Sequence, residues 1–300
     1  DTGNNWRSWP EKLLPLSGSS QKPSLTTSAN PIRPVGKQIQ RPEIQTAVGV
    51  VLWDVYSTLL VSAKGDLDQR LKNPENPEDF LEAMTTAGLD VHCPQENPAL
   101  VFRSLIEAVH EEGHQQGLHQ PEVVIQNIWR ELVKRVLPGQ WITTEQACYL
   151  AASFEIKTNP VQVRNGSVEA IRAICELDFA QGILSNSQFY TPKILRLMLG
   201  KETWSIFEPD LLIWSYELGV AKPDPAVFAR VQACLSPFGV PSHRIIVVGD
   251  SEANDILPAR VRGWKTIRIL PEHSGPGPND SVAHHLCRSM EEVVRTIKQF

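Results

Sequence analysis

Apolar residues change their spacing twice along this chain, and the changes divide it into three stretches. Residues 1–45 show neither helical nor strand periodicity. They hold six prolines (Pro10, Pro15, Pro23, Pro31, Pro34, Pro42) and polar runs such as SGSSQKPSLTTSANP. At about one proline in seven residues, neither a helix nor a central strand persists. The stretch reads as an extension outside the fold, with Trp6, Trp9, Leu13 and Leu14 able to dock on a surface. From Thr46 the pattern becomes AVGVVLWDV, a continuous apolar run expected of a parallel strand buried on both faces. Residues 79–88, 98–112, 121–137 and 143–154 then carry apolar positions at helical spacing. In the third, Val124, Ile125, Ile128, Trp129, Leu132, Val133 and Val136 make one stripe, the signature of a helix-bundle core. Pro77, Pro98 and Pro121 each stand near a predicted helix start, where a missing N–H costs little.

After Pro160 the pattern alternates. SVEAIRAICEL, YTPKILRLML, DPAVFARVQACL, EANDILPARVRG and SMEEVVRTIKQF read as helices. Between them QGILS, LLIWS, RIIVVGD and KTIRIL read as strands. Strands alternating with helices imply a parallel sheet covered on both faces. The predicted fold is therefore α/β: a Rossmann-like parallel sheet core, residues 46–63 and 160–300, interrupted by an all-helical cap domain, residues 64–159. The proline-rich extension, residues 1–45, precedes it.

Composition narrows the function classes. Of 300 residues, 41% are apolar, enough for a large core, and the formal charge of −5 gives no global attraction to nucleic acid or anionic lipid. No apolar run approaches the roughly 18–20 residues that span a bilayer. Neither nucleic acid nor membrane is an expected partner, and with no secretory pattern at the start the expected location is cytoplasmic. Cys93, Cys148, Cys175, Cys234 and Cys287 are scattered, with no CxxC or CxxxH spacing, so reduced thiols are expected. His110 and His114 share a helical face, but no third ligand accompanies them. P-loop, GxGxxG and GxSxG motifs are absent.

In an open parallel sheet, ligands collect at the carboxyl ends of the strands. The polar residues there form a short set. The first strand ends in Asp54-Val55-Tyr56-Ser57-Thr58, QGILS ends in Ser185-Asn186, and RIIVVGD ends in Asp250 with Asp255 five residues on; Lys222 lies in GVAKPDP. Carboxylates bind Mg²⁺ through oxygen, and lysine and hydroxyl groups bind phosphate. Such a set suits a divalent cation and a small anionic substrate together.

These four segments, in this order on predicted strand ends with a helical insert after the first, resemble the haloacid dehalogenase superfamily of hydrolases. The resemblance covers roughly residues 47–60 and 160–300. It implies that Asp54 is the nucleophile, that Ser185 holds a substrate oxygen and that Lys222 pairs with the nucleophile and the substrate anion. Thr58 matches the threonine that shapes the turn, and it and Asn186 are expected to contact substrate. Asp250 and Asp255, with the Asp54 carboxylate and the Tyr56 backbone carbonyl, match the residues that hold Mg²⁺.

Three positions depart from the family's phosphatases or its dehalogenases. Phosphatases resembling this chain carry a second aspartate where Tyr56 stands, and use it as general acid and base. Dehalogenases have a tyrosine in that loop, but a neutral residue at the position of Asp250 and a tyrosine near Phe228. The expected activity is a Mg²⁺-dependent hydrolase acting on a small phosphorylated compound. The alternatives are a metal-independent 2-haloacid dehalogenase-like hydrolase, and a catalytically weakened binding or regulatory protein that uses the N-terminal extension as its partner-binding arm. Phosphonate-cleaving relatives also lack the second aspartate but use a cap lysine that forms a Schiff base. The candidates here are Lys64, Lys72 and Lys134, with nothing to distinguish one of them, while Arg70, Arg103, Arg130 and Arg135, in or near the cap, could read an anionic substrate.

Overall fold

A computed structural model describes residues 40–65, 67, 75–271 and 281–300. Most of the N-terminal extension, with Arg70 and Lys72, lies outside the described residues. The chain enters at β1 (Gly49–Trp53), whose five residues are all buried. It passes through β2 (Leu60–Ser62) into four cap helices, α1 (Pro77–Thr86), α2 (Pro98–Gln115), α3 (Ile125–Val136) and α4 (Thr144–Thr158), and returns by β3 (Val161–Val163). Then follow α5 (Ser167–Glu176), β4 (Phe179–Ser185), α6 (Thr191–Leu199), α7 (Lys201–Trp204), β5 (Phe207–Trp214) and α8 (Ser215–Leu218). The chain continues through α9 (Pro225–Leu235), β6 (Ile245–Gly249), α10 (Leu257–Val261), β7 (Lys265–Ile269), β8 (His285–Cys287) and α11 (Met290–Ile297).

Six strands form one parallel sheet in the order β5-β4-β1-β6-β7-β8. The apolar run of β1 is continuous because both faces of the sheet are covered. Val51 and Trp53 join the core on one face with Ile171 of α5 and Met290 of α11. Val50 and Leu52 face the opposite way, toward Val227 and Phe228 of α9 and toward Trp264. That is the two-residue period of a strand expressed on two helical layers.

The cap has its own centre. One aromatic ring from each of its four helices, Phe80, Phe102, Trp129 and Phe154, meets the other three at centroid distances of 4.3–6.2 Å. Each such pair adds about 0.5–1.5 kcal/mol beyond the area it buries. Asn97 caps α2 by accepting from the amides of Ala99 and Leu100, and Thr143 and Gln146 close a capping box on α4.

Two local expectations fail. Pro121 does not open a helix: α3 begins only at Ile125, and Pro121 forms an antiparallel bridge with Val220 of the core. The helix read through EANDILPARVRG is divided into a single π-helical turn, Glu252–Ile256, and the short α10. The antiparallel pair β2–β3 and the edge strand β8 carried no signal long enough to read.

Hydrogen bonds join cap and core beside the connecting strands and along residues 219–221. On the connecting strands, Asn159 accepts from the Lys64 amide and donates to the Gly65 carbonyl and to Glu155, all at 2.8 Å. On the other side the segment around Pro121 lies along residues 219–221. There the Ala221 amide donates to the Gln120 carbonyl (2.8 Å) and the Glu122 amide to the Gly219 carbonyl (3.0 Å).

Candidate active site

Every group of the site stands at the carboxyl end of a core strand or in the loop that follows it. Asp54 follows β1, and its amide donates to the Val248 carbonyl of β6 at 2.9 Å. The end of β1 is further pinned by Trp53, whose indole N–H donates to Gln181 on β4 at 3.0 Å; the Gln181 amide in turn donates to the Ile171 carbonyl. Asp250 follows β6. Asp255 arrives one π-helical turn later, capped by the Ser251 hydroxyl, which accepts from the Asn254 amide at 3.1 Å. Such single π-turns recur at functional sites because they re-aim a side chain. Gly249 makes the turn workable: any side chain there would run into the Asp255 carboxylate.

The charged centre is compact. The Lys222 ammonium donates to Asp54 Oδ1 (2.8 Å), Asp255 Oδ1 (2.5 Å) and the Leu184 carbonyl (2.8 Å), which uses all three of its protons. Thr58 Oγ1 donates to Asp54 Oδ2 at 3.2 Å and the Ser251 amide to Asp255 Oδ2 at 3.0 Å. Lys222 is 3% exposed. Burial alone would lower its pKa, but the charges of Asp255 and Asp54 hold it above the ordinary lysine value, so it stays an ammonium. Asp255 is pushed up to about 6, first by burial and then by the Asp54 charge, against the pull of Lys222.

One carboxylate oxygen from each of Asp54, Asp250 and Asp255 lies within 4.8 Å of the other two; among the described residues no other His, Cys, Asp or Glu group has this arrangement. Counting these four side chains alone, three carboxylates against one ammonium leave two negative charges in excess. The donor set is all oxygen, which fits a hard divalent cation such as Mg²⁺. His110 and His114 belong to no such group.

The other sequence candidates divide by placement. Asp54, Tyr56, Asn186, Lys222, Asp250 and Asp255 line one small cavity. Asn186 also holds the lysine loop, because its side-chain oxygen accepts from the Lys222 amide (2.7 Å) and its NH₂ donates to the Lys222 carbonyl (3.0 Å). Thr58 is fully buried, and its hydroxyl is engaged with Asp54. Ser185 ends β4, 2% exposed, with its hydroxyl 3.4 Å from the Asn186 carbonyl. The Tyr56 hydroxyl shares a 3.0 Å hydrogen bond with Thr191. Three cap cations are engaged at the surface or near it: Lys64 with Glu75, Lys134 with Glu131 and Arg135 with Glu96.

Sequence reading missed the residues that join cap to site. Glu122 accepts from Ser215 Oγ (2.6 Å) and from Gln188 Nε2 (2.9 Å), and Ser215 Oγ also accepts from the Ser187 amide (2.8 Å). A second cavity, lined by Glu122, Glu155, Ser187, Gln188 and Tyr190, shares Tyr56 and Asn186 with the first. Glu122 was hidden inside a predicted helix, and nothing in its neighbours marks it as a contact.

A family model described as haloacid dehalogenase-like hydrolase matches residues 48–261. The chain belongs to the haloacid dehalogenase-like hydrolases. The matched range runs from β1 through the cap to the carboxylate turn. A curated relative within the family, haloacid dehalogenase-like hydrolase domain-containing protein 3 of Danio rerio, is 25% identical over 250 residues, covering 81% of this chain and 93% of the relative. The fold is shared with a 2-haloacid dehalogenase from Pseudomonas syringae pv. Tomato DC3000 (TM-score 0.56, 18% identity, 84% of this chain and 98% of that one). It is also shared with a HAD phosphatase from Thermococcus onnurineus (TM-score 0.50, 18% identity, 83% and 97%). Haloacid dehalogenase-like folds thus carry both chemistries, and the choice between them rests on the side chains. Among the described residues no helix is long and apolar enough to cross a membrane.

Proposed function

We propose that this haloacid dehalogenase-like hydrolase is Mg²⁺-dependent and removes phosphate from a small anionic metabolite, with Asp54 as nucleophile. The observation that carries the reading is the convergence of one carboxylate oxygen from each of Asp54, Asp250 and Asp255 within 4.8 Å, an all-oxygen donor set beside Lys222. Asp54, Asp250 and Asp255, with the Tyr56 carbonyl, would hold Mg²⁺, which supplies positive charge opposite the oxygens of the transferring group.

The chain's own residues do the rest. Asp54 attacks phosphorus and the ester oxygen departs; water then cleaves the aspartyl phosphate. Lys222 offsets negative charge on the nucleophile and the phosphoryl group, and Thr58 orients the Asp54 carboxylate. The site cavity measures about 10 Å³, at the lower limit for one water molecule. Glu122 and Glu155 of the cap line the adjoining cavity, so parting of cap and core would admit substrate and their closure would exclude water and large polymers.

The test is turnover of a panel of small phosphomonoesters by the full chain. Hydrolysis should appear with Mg²⁺ and vanish with chelator. Halide release from 2-haloacids that persists in chelator would move the chemistry to carbon and overturn the reading.

Tyr56 sets a limit on this phosphatase. A phenol, whose pKa is ordinarily near 10, is a poor proton donor and acceptor for catalysis at neutral pH, and a missing general acid typically costs about 10²–10⁴-fold. Aryl phosphates should therefore be turned over much faster than alkyl phosphates. Replacing Tyr56→Asp should raise kcat for alkyl phosphates by about 10-fold or more while leaving aryl phosphates nearly unchanged. An unaltered alkyl-to-aryl ratio would show that another group already supplies the proton.

A further inference from the structure

Arg164 is the first residue after β3, the strand by which the chain returns from the cap, and it is 5% exposed. Its Nε donates to the Thr58 carbonyl at 2.8 Å and its Nη2 to the Ser57 carbonyl at 2.5 Å. The Leu59 carbonyl accepts from the Arg164 amide (2.9 Å) and from Ser167 Oγ (3.1 Å). Three successive carbonyls of the loop after Asp54 are thus held by residues 164–167, more than 100 positions away. Ser57 has φ of 61°. A residue other than glycine pays roughly 1–2 kcal/mol for that left-handed conformation and keeps it only where its surroundings fix it. Its neighbour Thr58 is the residue that donates to Asp54.

We infer that Arg164 is a positioning residue: its guanidinium fork fixes the Ser57–Thr58 turn, and through Thr58 it sets the orientation of the Asp54 carboxylate. The inference rests on the reading of Asp54 as nucleophile. Because Val163 pairs with Leu60 in the antiparallel β2–β3 pair, the same contact ties the nucleophile loop to the base of the cap. The fork matters more than the charge. Two donors fixed in one plane reach two adjacent carbonyls, whereas a lysine ammonium at the end of a flexible stem does not reproduce that planar geometry.

The test compares Arg164→Lys and Arg164→Ala in the full chain with wild type. For an aryl phosphate with Mg²⁺, kcat should fall about 10–100-fold in both variants with KM little changed, as for a reacting group misplaced by about 1 Å. Guanidinium or ethylguanidinium at millimolar, non-denaturing concentration should restore part of the Arg164→Ala rate. Hydrogen exchange should quicken at the amides of Thr58 and Leu60, both bonded to the Val55 carbonyl, and stay unchanged in α3. Wild-type kcat in Arg164→Lys would overturn the inference, as would a rate loss that follows the unfolded fraction without guanidinium rescue. If wild type hydrolyses no phosphomonoester, the proposed function fails and the exchange measurement alone decides. Unchanged protection at Thr58 and Leu60 then sinks the positioning role.

Discussion

Asp54→Asn should leave a folded chain whose phosphomonoester turnover is at least about 10⁴-fold below wild type, the scale of losing a covalent nucleophile. The substitution keeps size and shape. The amide oxygen can still accept from Lys222 in the place of Asp54 Oδ1, while the NH₂ in the place of Oδ2 donates to the Thr58 hydroxyl instead of accepting from it. An amide, however, is too weak a nucleophile to attack phosphorus. The replacement also removes one of the two excess negative charges, so Mg²⁺ binding should weaken as well. Acid quench of wild type during turnover should trap label on the peptide that contains Asp54, and the variant should trap none. Residual turnover above about one hundredth of wild type, with label elsewhere, would assign the nucleophile to another residue.

The second large effect belongs to Lys222→Met. The Lys222 ammonium lies 2.8 Å from Asp54 and 2.5 Å from Asp255. Removing one partner of a buried ion pair costs about 3–5 kcal/mol, because the charge left behind has lost its hydration and its counterion together. For a chain of this size that corresponds to a fall in Tm on the order of 10 °C. The carboxylate cluster would then carry three excess negative charges instead of two. The variant should therefore gain more Tm from added Mg²⁺ than wild type does, while its turnover stays lost. Differential scanning calorimetry with and without Mg²⁺ reads both effects. Equal Mg²⁺ gains in the two proteins would mean that the lysine does not share the cation's ligands.

Much of this architecture is legible in local pattern. The run GVVLW can be buried on both faces only inside a covered parallel sheet, and β1 is the third of six strands. The stripe of Ile128, Trp129, Leu132, Val133 and Val136 turns inward as α3. The strand-end rule brought Asp54, Lys222, Asp250 and Asp255 to one place because, in a parallel sheet, every strand delivers its last residue to the same edge. Pro121 shows where local reading breaks down. A proline before an apolar stripe suits a helix start, yet its place is decided by Val220, some hundred residues away. The three-residue strands β2 and β3 fail for the same reason, since neither is long enough to show a period and each exists through the other.

Sequence by itself determined the layers, the inserted cap and the four chemical segments, all of which depend on side-chain periods and residue types within a few positions of one another. Tertiary structure alone decided that Thr58 donates to Asp54, that Asn186 holds the Lys222 backbone, that Glu122 meets Ser215 and Gln188, and that Arg164 grips the nucleophile loop. These are directional hydrogen bonds between segments remote in sequence. Their partners are chosen by where packing happens to bring a buried carbonyl or carboxylate, and a single arginine or glutamate carries no period by which that choice could be read in advance.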